Sequence, residues 1–384
     1  MQAFNFSTTA HLICASGAAA AQLAEQCAAR GARNVLLVTD AGILRHNLLD
    51  SVLPGFTAAG INLQVYSDVL ADPAEELVLA ATEQARAIGA DLIIGFGGGS
   101  SMDTAKLVAY LAHPEQRQGL SDIYGVNQAN GARLPLIQVP TTAGTGSEVT
   151  PISIVTTATG KSGVVSQQLL PDLAILDAQL TVGLPGPVTA ATGIDAMVHA
   201  IEAYTSKLRK NPISDLLARE ALRLLSANLE QAVREPQDLE ARQAMLLGAC
   251  LAGQAFANAP VAAVHALAYP LGITFHLPHG LSNALVLNPV LTFNLSHAHA
   301  LYAELAPCVL GERLLPGDGA AQLIEELRRI HEAVGLPLRL RDAGVTLESL
   351  PELARSAMQQ QRLLVNNPRP VLEEDALAIY TAAY

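Results

Sequence analysis

Two stretches of the chain, Val35-Leu36-Leu37-Val38 and Leu92-Ile93-Ile94, are apolar at every position rather than at every second one. A strand that alternates covers one face of a sheet. A strand that is apolar throughout needs cover on both faces, which is the environment of a parallel sheet packed between helices. The segments between these runs are helical in character: an alanine-rich segment ends at Gly31, and Pro73 with Glu75 and Glu76 opens a helix that Gly89 closes. Asn62 to Tyr66, Leu134 to Val139 and Leu173 to Leu176 read as further strands. The first half is therefore expected to be an α/β layer built on a parallel sheet.

From about Pro185 the strand-like runs stop. Long Ala/Leu segments with helical spacing continue almost to Tyr384, interrupted at Asn211-Pro212, Asn258-Ala259-Pro260, Pro316-Gly317 and Asn367-Pro368. Gly183, Pro185, Gly186 and Pro187 cluster at the change, which predicts domains of residues 1–183 and 184–384, the second all-helical. A cleft between the two is the expected site. An apolar content of 50% over 384 residues is enough to fill two cores.

The charge balance narrows the partners. Against 23 basic residues stand 35 acidic ones, a net −12 with no Lys/Arg run to offset it locally, so phosphate backbones and anionic lipid are disfavoured. No apolar run reaches the roughly 18 to 20 residues a bilayer span needs. Ala18 to Ala21 lacks the cationic flank of a secretory leader, the first basic residue being Arg30, and reads as a helix. Cys14, Cys27, Cys250 and Cys308 are widely spaced, which suits a reducing cytoplasm better than a disulfide framework. Small-molecule chemistry is the expectation.

Three constellations carry that chemistry. Gly97-Gly98-Gly99-Ser100 follows a strand and opens a helix, so backbone N–H groups and the positive end of the helix can meet a pyrophosphate, as in a Rossmann-like dinucleotide domain. Asp40, at the end of the first strand, is placed to accept from the hydroxyls of an adenosine ribose, although a turn or helix cap is the commoner role for such a residue. It precedes the glycine loop by almost sixty residues, so the strand order must differ from the usual one. Thr141-Thr142-Ala143-Gly144-Thr145-Gly146-Ser147-Glu148, after another strand, offers hydroxyl donors to phosphate or to a nicotinamide carboxamide.

The third constellation is metal-like. Asp195 and His199 lie four residues apart in an apolar helix, and His265 and His279 follow in apolar surroundings. Each alone reads as a satisfied core residue. A carboxylate and three imidazoles together would bear several kcal/mol of desolvation apiece, which a divalent cation relieves. The set suits Fe(II), Zn(II), Co(II) or Mn(II), and readiness for a fifth or sixth ligand favours iron over strictly tetrahedral zinc.

With these motifs in hand, the chain resembles the iron-containing (group III) alcohol dehydrogenases. The resemblance rests on Val38-Thr39-Asp40, Gly97-Gly98-Gly99-Ser100 with Asp103 and Lys106, Pro140 to Glu148, Gly193-Ile194-Asp195 with His199, His265, Pro278-His279-Gly280 and Asn367-Pro368-Arg369-Pro370, and so spans the whole chain. It implies an NAD-linked alcohol dehydrogenase or aldehyde reductase, dimeric, with Asp195, His199, His265 and His279 on Fe2+ or, as an alternative, Zn2+. It implies cofactor roles for Asp40, Gly97, Gly98, Gly99, Ser100, Asp103, Thr141, Thr142, Thr145 and Lys161. Asp40 resembles the residue that favours NAD over NADP by repelling the 2′-phosphate.

One departure bears on catalysis. Many alcohol-oxidising members carry a histidine four residues after the third ligand, where this chain has Tyr269. A phenol titrating near 10 in water relays protons poorly at neutral pH, which leaves His276 as a second candidate catalytic side chain. Tyrosine at that point is similar to the hydroxyacid–oxoacid transhydrogenase branch, so transfer to 4-hydroxy acids is an alternative. A dehydroquinate synthase-like lyase would need several cations around the substrate, and Lys207, Arg209 and Lys210 read as a solvated helix end. A metal-free maleylacetate reductase-like enzyme is disfavoured by Asp195, and a scaffold without turnover by the intact motifs.

Overall fold

The computed structural model describes residues 3–158 and 160–384. They form two compact units, one of Thr8–Thr142 with Gly146–Gly183 and one of residues 3–7, Ala143–Thr145 and Leu184–Tyr384.

The first unit runs β1 (His11–Cys14), α1 (Ala18–Ala29), β2 (Asn34–Asp40), α2 (Ala41–Arg45), α3 (Leu53–Ala59), β3 (Asn62–Val69), α4 (Glu75–Ala87), β4 (Leu92–Gly97), α5 (Gly99–Leu111), β5 (Gly125–Val126), β6 (Leu136–Pro140), β7 (Ile152–Thr157), β8 (Gly160–Val165) and β9 (Leu173–Leu176). Six strands make one parallel sheet in the order β1-β9-β6-β4-β2-β3. The all-apolar runs are explained by a core on each face. Val35, Leu37, Ile94 and Phe96 pack with Leu23 and Phe56 on one side, while Leu36, Val38 and Ile93 pack with Ala105 and Val108 on the other. The unusual strand order expected from Asp40 is present: β2 precedes β4 in the chain yet pairs with it directly, Val38 opposite Gly95.

A second sheet, β5-β8-β7, has no counterpart in the sequence expectations. Its β7/β8 hairpin buries Val155 and Val164 against Leu107 and Tyr110 of α5. The remaining hairpin positions are mostly Thr, Ser, Lys and Gly, which is why no apolar signal announces it.

The second unit comprises α6 (Gly186–Thr205), α7 (Pro212–Arg234), α8 (Leu239–Asn258), α9 (Ala263–Phe275), α10 (His279–Leu310), α11 (Gly319–Ala333), α12 (Leu350–Ala357), α13 (Gln361–Leu364) and α14 (Glu373–Ala383). Caps of Asn211 on α7, Asp238 on α8 and Asp318 on α11 start three of these helices. α6 is buried almost all round, as a helix apolar on every face should be. Its Gly193 lets α7 approach closely, since a Cβ there would stand 2.4 Å from Leu229 Cδ1. Among the described residues no single helix is long and apolar enough to cross a membrane.

Candidate active site

In the helical unit, Asp195, His199 and Glu202 fall at i, i+4 and i+7 of α6, a single stripe, and all three are buried. His265 comes from the first turn of α9, and His279 is the first residue of α10. Asp195 Oδ1 lies 3.8 Å from His265 Nε2 and 3.7 Å from His279 Nε2, and one ligand atom from each of the three residues lies within 4.8 Å of the others. His199 is outside that tight set. Its ring stacks on His265 at 4.7 Å and on Phe256 at 4.3 Å between centroids.

The electrostatics of these groups are dominated by burial and by one another's charges. Burial would raise the Asp195 carboxyl, but the charges of His199, His279 and His265 and a hydrogen bond from Asn283 hold it below the usual range. Burial drives His199 down to about 3 against the pull of Asp195. For His265 burial also works downward, yet the hydrogen bond and charge of Glu202 and the charge of Asp195 outweigh it and raise the ring. His199 Nδ1, His265 Nε2 and Asn283 Oδ1 are buried with no hydrogen-bond partner among the described residues. Orphaned imidazole nitrogens beside a carboxylate fit a divalent cation, because a metal–ligand bond satisfies a buried lone pair that no donor reaches.

Tyr269 follows His265 by one turn of α9, half-buried, with its ring 5.8 Å from that of His279. His276 is the C-cap of α9 at φ 53°, exposed. Lys210, one of the cations weighed for a phosphorylated-acid site, instead sits 3.5 Å over the Tyr204 ring and 2.6 Å from Asp215. Thr145 belongs to this unit with Gly144, where a Cβ would stand 2.7 Å from Thr192 Cβ.

In the α/β unit, the first turn of α5 is where the glycines meet solvent. Gly98, Gly99 and Ser100 are half-exposed, while Ser101 to Leu111 are buried apart from Asp103. Gly97 has φ 149°, and a Cβ there would be 2.7 Å from Ser101 Oγ, so the turn requires glycine. A Cβ at Gly98 would reach Thr142 Oγ1 at 3.7 Å, and the Thr141 N–H donates to Gly97 O at 2.9 Å, so the two polar loops lie side by side. Asp40 caps α2: its Oδ1 accepts from the Gly42 and Ile43 N–H groups at 2.8 and 3.3 Å, and its Oδ2 faces Ser101 Oγ at 3.4 Å. These features suit a pyrophosphate at the helix end and a ribose at the tip of the adjacent strand.

Asp103 and Lys161 are engaged within the protein. Asp103 accepts from Ser147 Oγ at 2.5 Å and from the Ile154 N–H at 2.9 Å. Lys106, fully buried, donates to Ser147 Oγ, Thr150 Oγ1 and Ile152 O at 2.8, 3.1 and 2.6 Å. Burial lowers its ammonium and pushes the neighbouring Glu148 carboxyl up to about 7. Lys161 Nζ lies 2.6 Å from Asp72 Oδ1.

A profile described as iron-containing alcohol dehydrogenase matches residues 10–178, and one for the C-terminal part of the Fe-containing alcohol dehydrogenase family matches residues 189–384. The chain belongs to the iron-containing alcohol dehydrogenase family. It is an oxidoreductase of the alcohol dehydrogenase class, in a family whose members imply a bound metal. Among its relatives is long-chain-alcohol dehydrogenase 1 of Geobacillus thermodenitrificans (strain NG80-2), 42% identical over 94% of this chain and 92% of that one. A crystal structure of 1,3-propanediol oxidoreductase superposes with a TM-score of 0.94 at 33% identity, covering 100% of both chains. A sulfoacetaldehyde reductase from Bifidobacterium kashiwanohense in complex with NAD+ superposes at 0.89 with 26% identity, covering 100% of this chain and 99% of that one.

Sequence reasoning on this iron-containing alcohol dehydrogenase missed Glu202, Asn283 and the Lys106 clamp. Asn283 Nδ2 donates to Asp195 Oδ1 at 2.5 Å and lies 3.3 Å from His279 Nε2, while Glu202 Oε2 lies 2.7 Å from His265 Nδ1. A signal was present: Glu202 continues the Asp195–His199 stripe by two turns from Asp195, and Asn283 follows His279 by one turn, both polar in apolar helices.

Proposed function

We propose that the protein is an NAD-dependent, iron-dependent dehydrogenase that interconverts a small primary alcohol and its aldehyde. The observation that carries this reading is the convergence of the buried Asp195 Oδ1 and His265 Nε2 with the solvent-reaching His279 Nε2, whose separations of 3.8 and 3.7 Å from Asp195 leave room for one ion. In the full assignment Asp195, His199, His265 and His279 hold Fe2+, with His199 closing the set from its stacked position on His265. A bound divalent ion supplies Lewis acidity toward an alcohol or aldehyde oxygen, and NAD supplies the hydride acceptor.

The chain's own groups do the remainder. Gly97, Gly98, Gly99 and Ser100 offer backbone donors to the pyrophosphate, with Thr141, Thr142 and Thr145 on the nicotinamide side and Lys161 toward its ribose. The half-exposed glycines at the start of an otherwise buried α5 support that role. Asp40 binds the adenosine ribose through Oδ2 and repels a 2′-phosphate, which favours NAD. Asp103 serves the cofactor through the loop it anchors. Tyr269 and His276 are the candidate groups on the substrate side. None of the four cysteines is in a disulfide, in keeping with a reducing compartment, and the resemblance extends the reading to a homodimer.

The test is anaerobic reconstitution of metal-free protein with Fe(II), followed by NAD and a panel of alcohols, diols and 4-hydroxy acids. NADH formation that depends on added metal is the expected result. Equal rates in chelated protein, or no NADH with any substrate, would refute the proposal. Oxidation confined to 4-hydroxy acids would shift it to the transhydrogenase-like alternative.

A further inference from the structure

α9 begins without a cap of its own. Its N-cap residue is Ala262, which has no side chain to offer the unpaired N–H groups of the first turn. Glu202, on α6, fills the vacancy from across the unit. Its Oε1 accepts from the Val264 N–H at 2.7 Å and its Oε2 from the Ala262 N–H at 2.9 Å. Val264 is the second helical residue, the N–H that a capping Ser or Asp would normally satisfy. The same Oε2 lies 2.7 Å from His265 Nδ1.

We infer that Glu202 is a positioning residue which, through one carboxylate, both caps α9 and fixes the tautomer of His265, so that His265 presents a bare Nε2 to a metal ion. The inference rests on the metal reading of Asp195, His265 and His279. Two of the three groups around the Glu202 carboxylate are backbone N–H groups, which can only donate, so the carboxylate must accept from both. An ionised carboxylate accepts everywhere and donates nowhere. His265 Nδ1 therefore carries the proton when the ring is neutral, and the lone pair falls on Nε2, the atom 3.8 Å from Asp195 Oδ1 that has no hydrogen-bond partner among the described residues.

Glutamine, which matches glutamate in shape, cannot reproduce this. If its NH2 takes the place of Oε1, it faces the Val264 N–H and the cap is lost. If the NH2 takes the place of Oε2, it faces the Ala262 N–H, and His265 Nδ1 must become the acceptor, which moves the proton to Nε2 and removes a metal ligand. Either arrangement weakens the metal site: in the first a neutral amide oxygen replaces the carboxylate behind His265 Nδ1 and leaves Nε2 a poorer donor to the metal, and in the second the lone pair on Nε2 is lost outright.

The experiment is Glu202→Gln, studied metal-free and by titration with Co(II), whose visible absorption reports coordination. The variant is expected to bind Co(II) roughly 10- to 100-fold more weakly than wild type, with a changed absorption band. A lower melting temperature of the variant without metal is also expected and supports the capping half of the inference. Wild-type protein that fails to bind Co(II) at all would refute the metal reading itself. Normal wild-type binding with unchanged affinity and spectrum in Glu202→Gln would overturn the inference alone. Should the variant not fold, 15N-histidine NMR of metal-free wild type at alkaline pH decides: a proton on His265 Nδ1 supports the assignment and a proton on Nε2 overturns it.

Discussion

The two polar regions of the molecule solve opposite problems. In the α/β unit, the loop residues are satisfied by one another: Asp40 caps α2, Asp103 receives Ser147 and Ile154, Lys106 has oxygen partners from Ser147, Thr150 and Ile152, and Lys161 is paired with Asp72. In the helical unit, His199 Nδ1, His265 Nε2 and Asn283 Oδ1 are buried without partners among the described residues. A dinucleotide is large and comes and goes, so its loops must be stable without it. A resident ion can be left to complete a site that is costly when empty. The contrast predicts that the helical unit depends on its ligand for stability, while the α/β unit depends on its internal clamp.

The strongest break of this contrast is His265→Ala. Removing a ligand should cost more than the roughly 100-fold that loss of a group hydrogen-bonded to a ligand costs, in both metal content and kcat, while NADH binding followed by fluorescence stays at the wild-type level. Full activity in demonstrably metal-free variant protein would remove the ion from the reaction. The complementary break is Lys106→Met, which leaves Asp103 without its buried cation. It should destabilise the protein by about 3 kcal/mol and weaken NAD binding, with metal content unchanged. Metal loss in Lys106→Met, or unaltered NAD affinity, would contradict the division of labour.

This difference also decides what could be seen in the sequence. The convergence of Asp195, His265 and His279 was legible because charged and imidazole side chains stand out in apolar helices and are costly there without a partner, whereas His199, expected with them, stacks on His265 outside the tight set. The parallel sheet was legible because its strands are apolar on both faces. The contact between Lys106 and Ser147 was not, since 41 residues separate two motifs that nothing in the sequence joins. The β7/β8 hairpin was hidden because only Val155 and Val164 carry its core contact with α5. Glu202 was overlooked because its partners, the Ala262 and Val264 N–H groups, are backbone atoms that no residue type announces.

Asp40 tests whether a residue satisfied within the protein can also serve the cofactor. Asp40→Gly would confound the two roles, since it removes both the cap and the charge. Asp40→Asn keeps an oxygen for the Gly42 and Ile43 N–H groups and deletes only the charge. The NADP-to-NAD ratio of kcat/KM should then rise by the equivalent of about 1 to 3 kcal/mol with melting temperature nearly unchanged. A ratio that stays put would make Asp40 a helix cap and nothing more.

The smallest expected effect sharpens the contrast inside the helical unit, where Tyr269 stands beside the ligand set without belonging to it. Its ring lies 5.8 Å from that of His279, and a role for its hydroxyl on substrate would take one of two forms. As a recognition group it donates to a second oxygen of the substrate, and Tyr269→Phe then lowers kcat/KM by about 1 to 3 kcal/mol for a diol or hydroxy acid but hardly at all for a plain alcohol. If instead the site lacks only a proton relay, Tyr269→His should raise oxidation of small primary alcohols near neutral pH and introduce a titration near 6.5 in the rate profile that the parent enzyme lacks. Measuring Tyr269→Phe on both substrate types and Tyr269→His across pH separates the two. Equal, small losses on both substrates in Tyr269→Phe, with no new titration in Tyr269→His, would make the ring a packing residue against His279 and return the proton path to His276, water or the cofactor ribose.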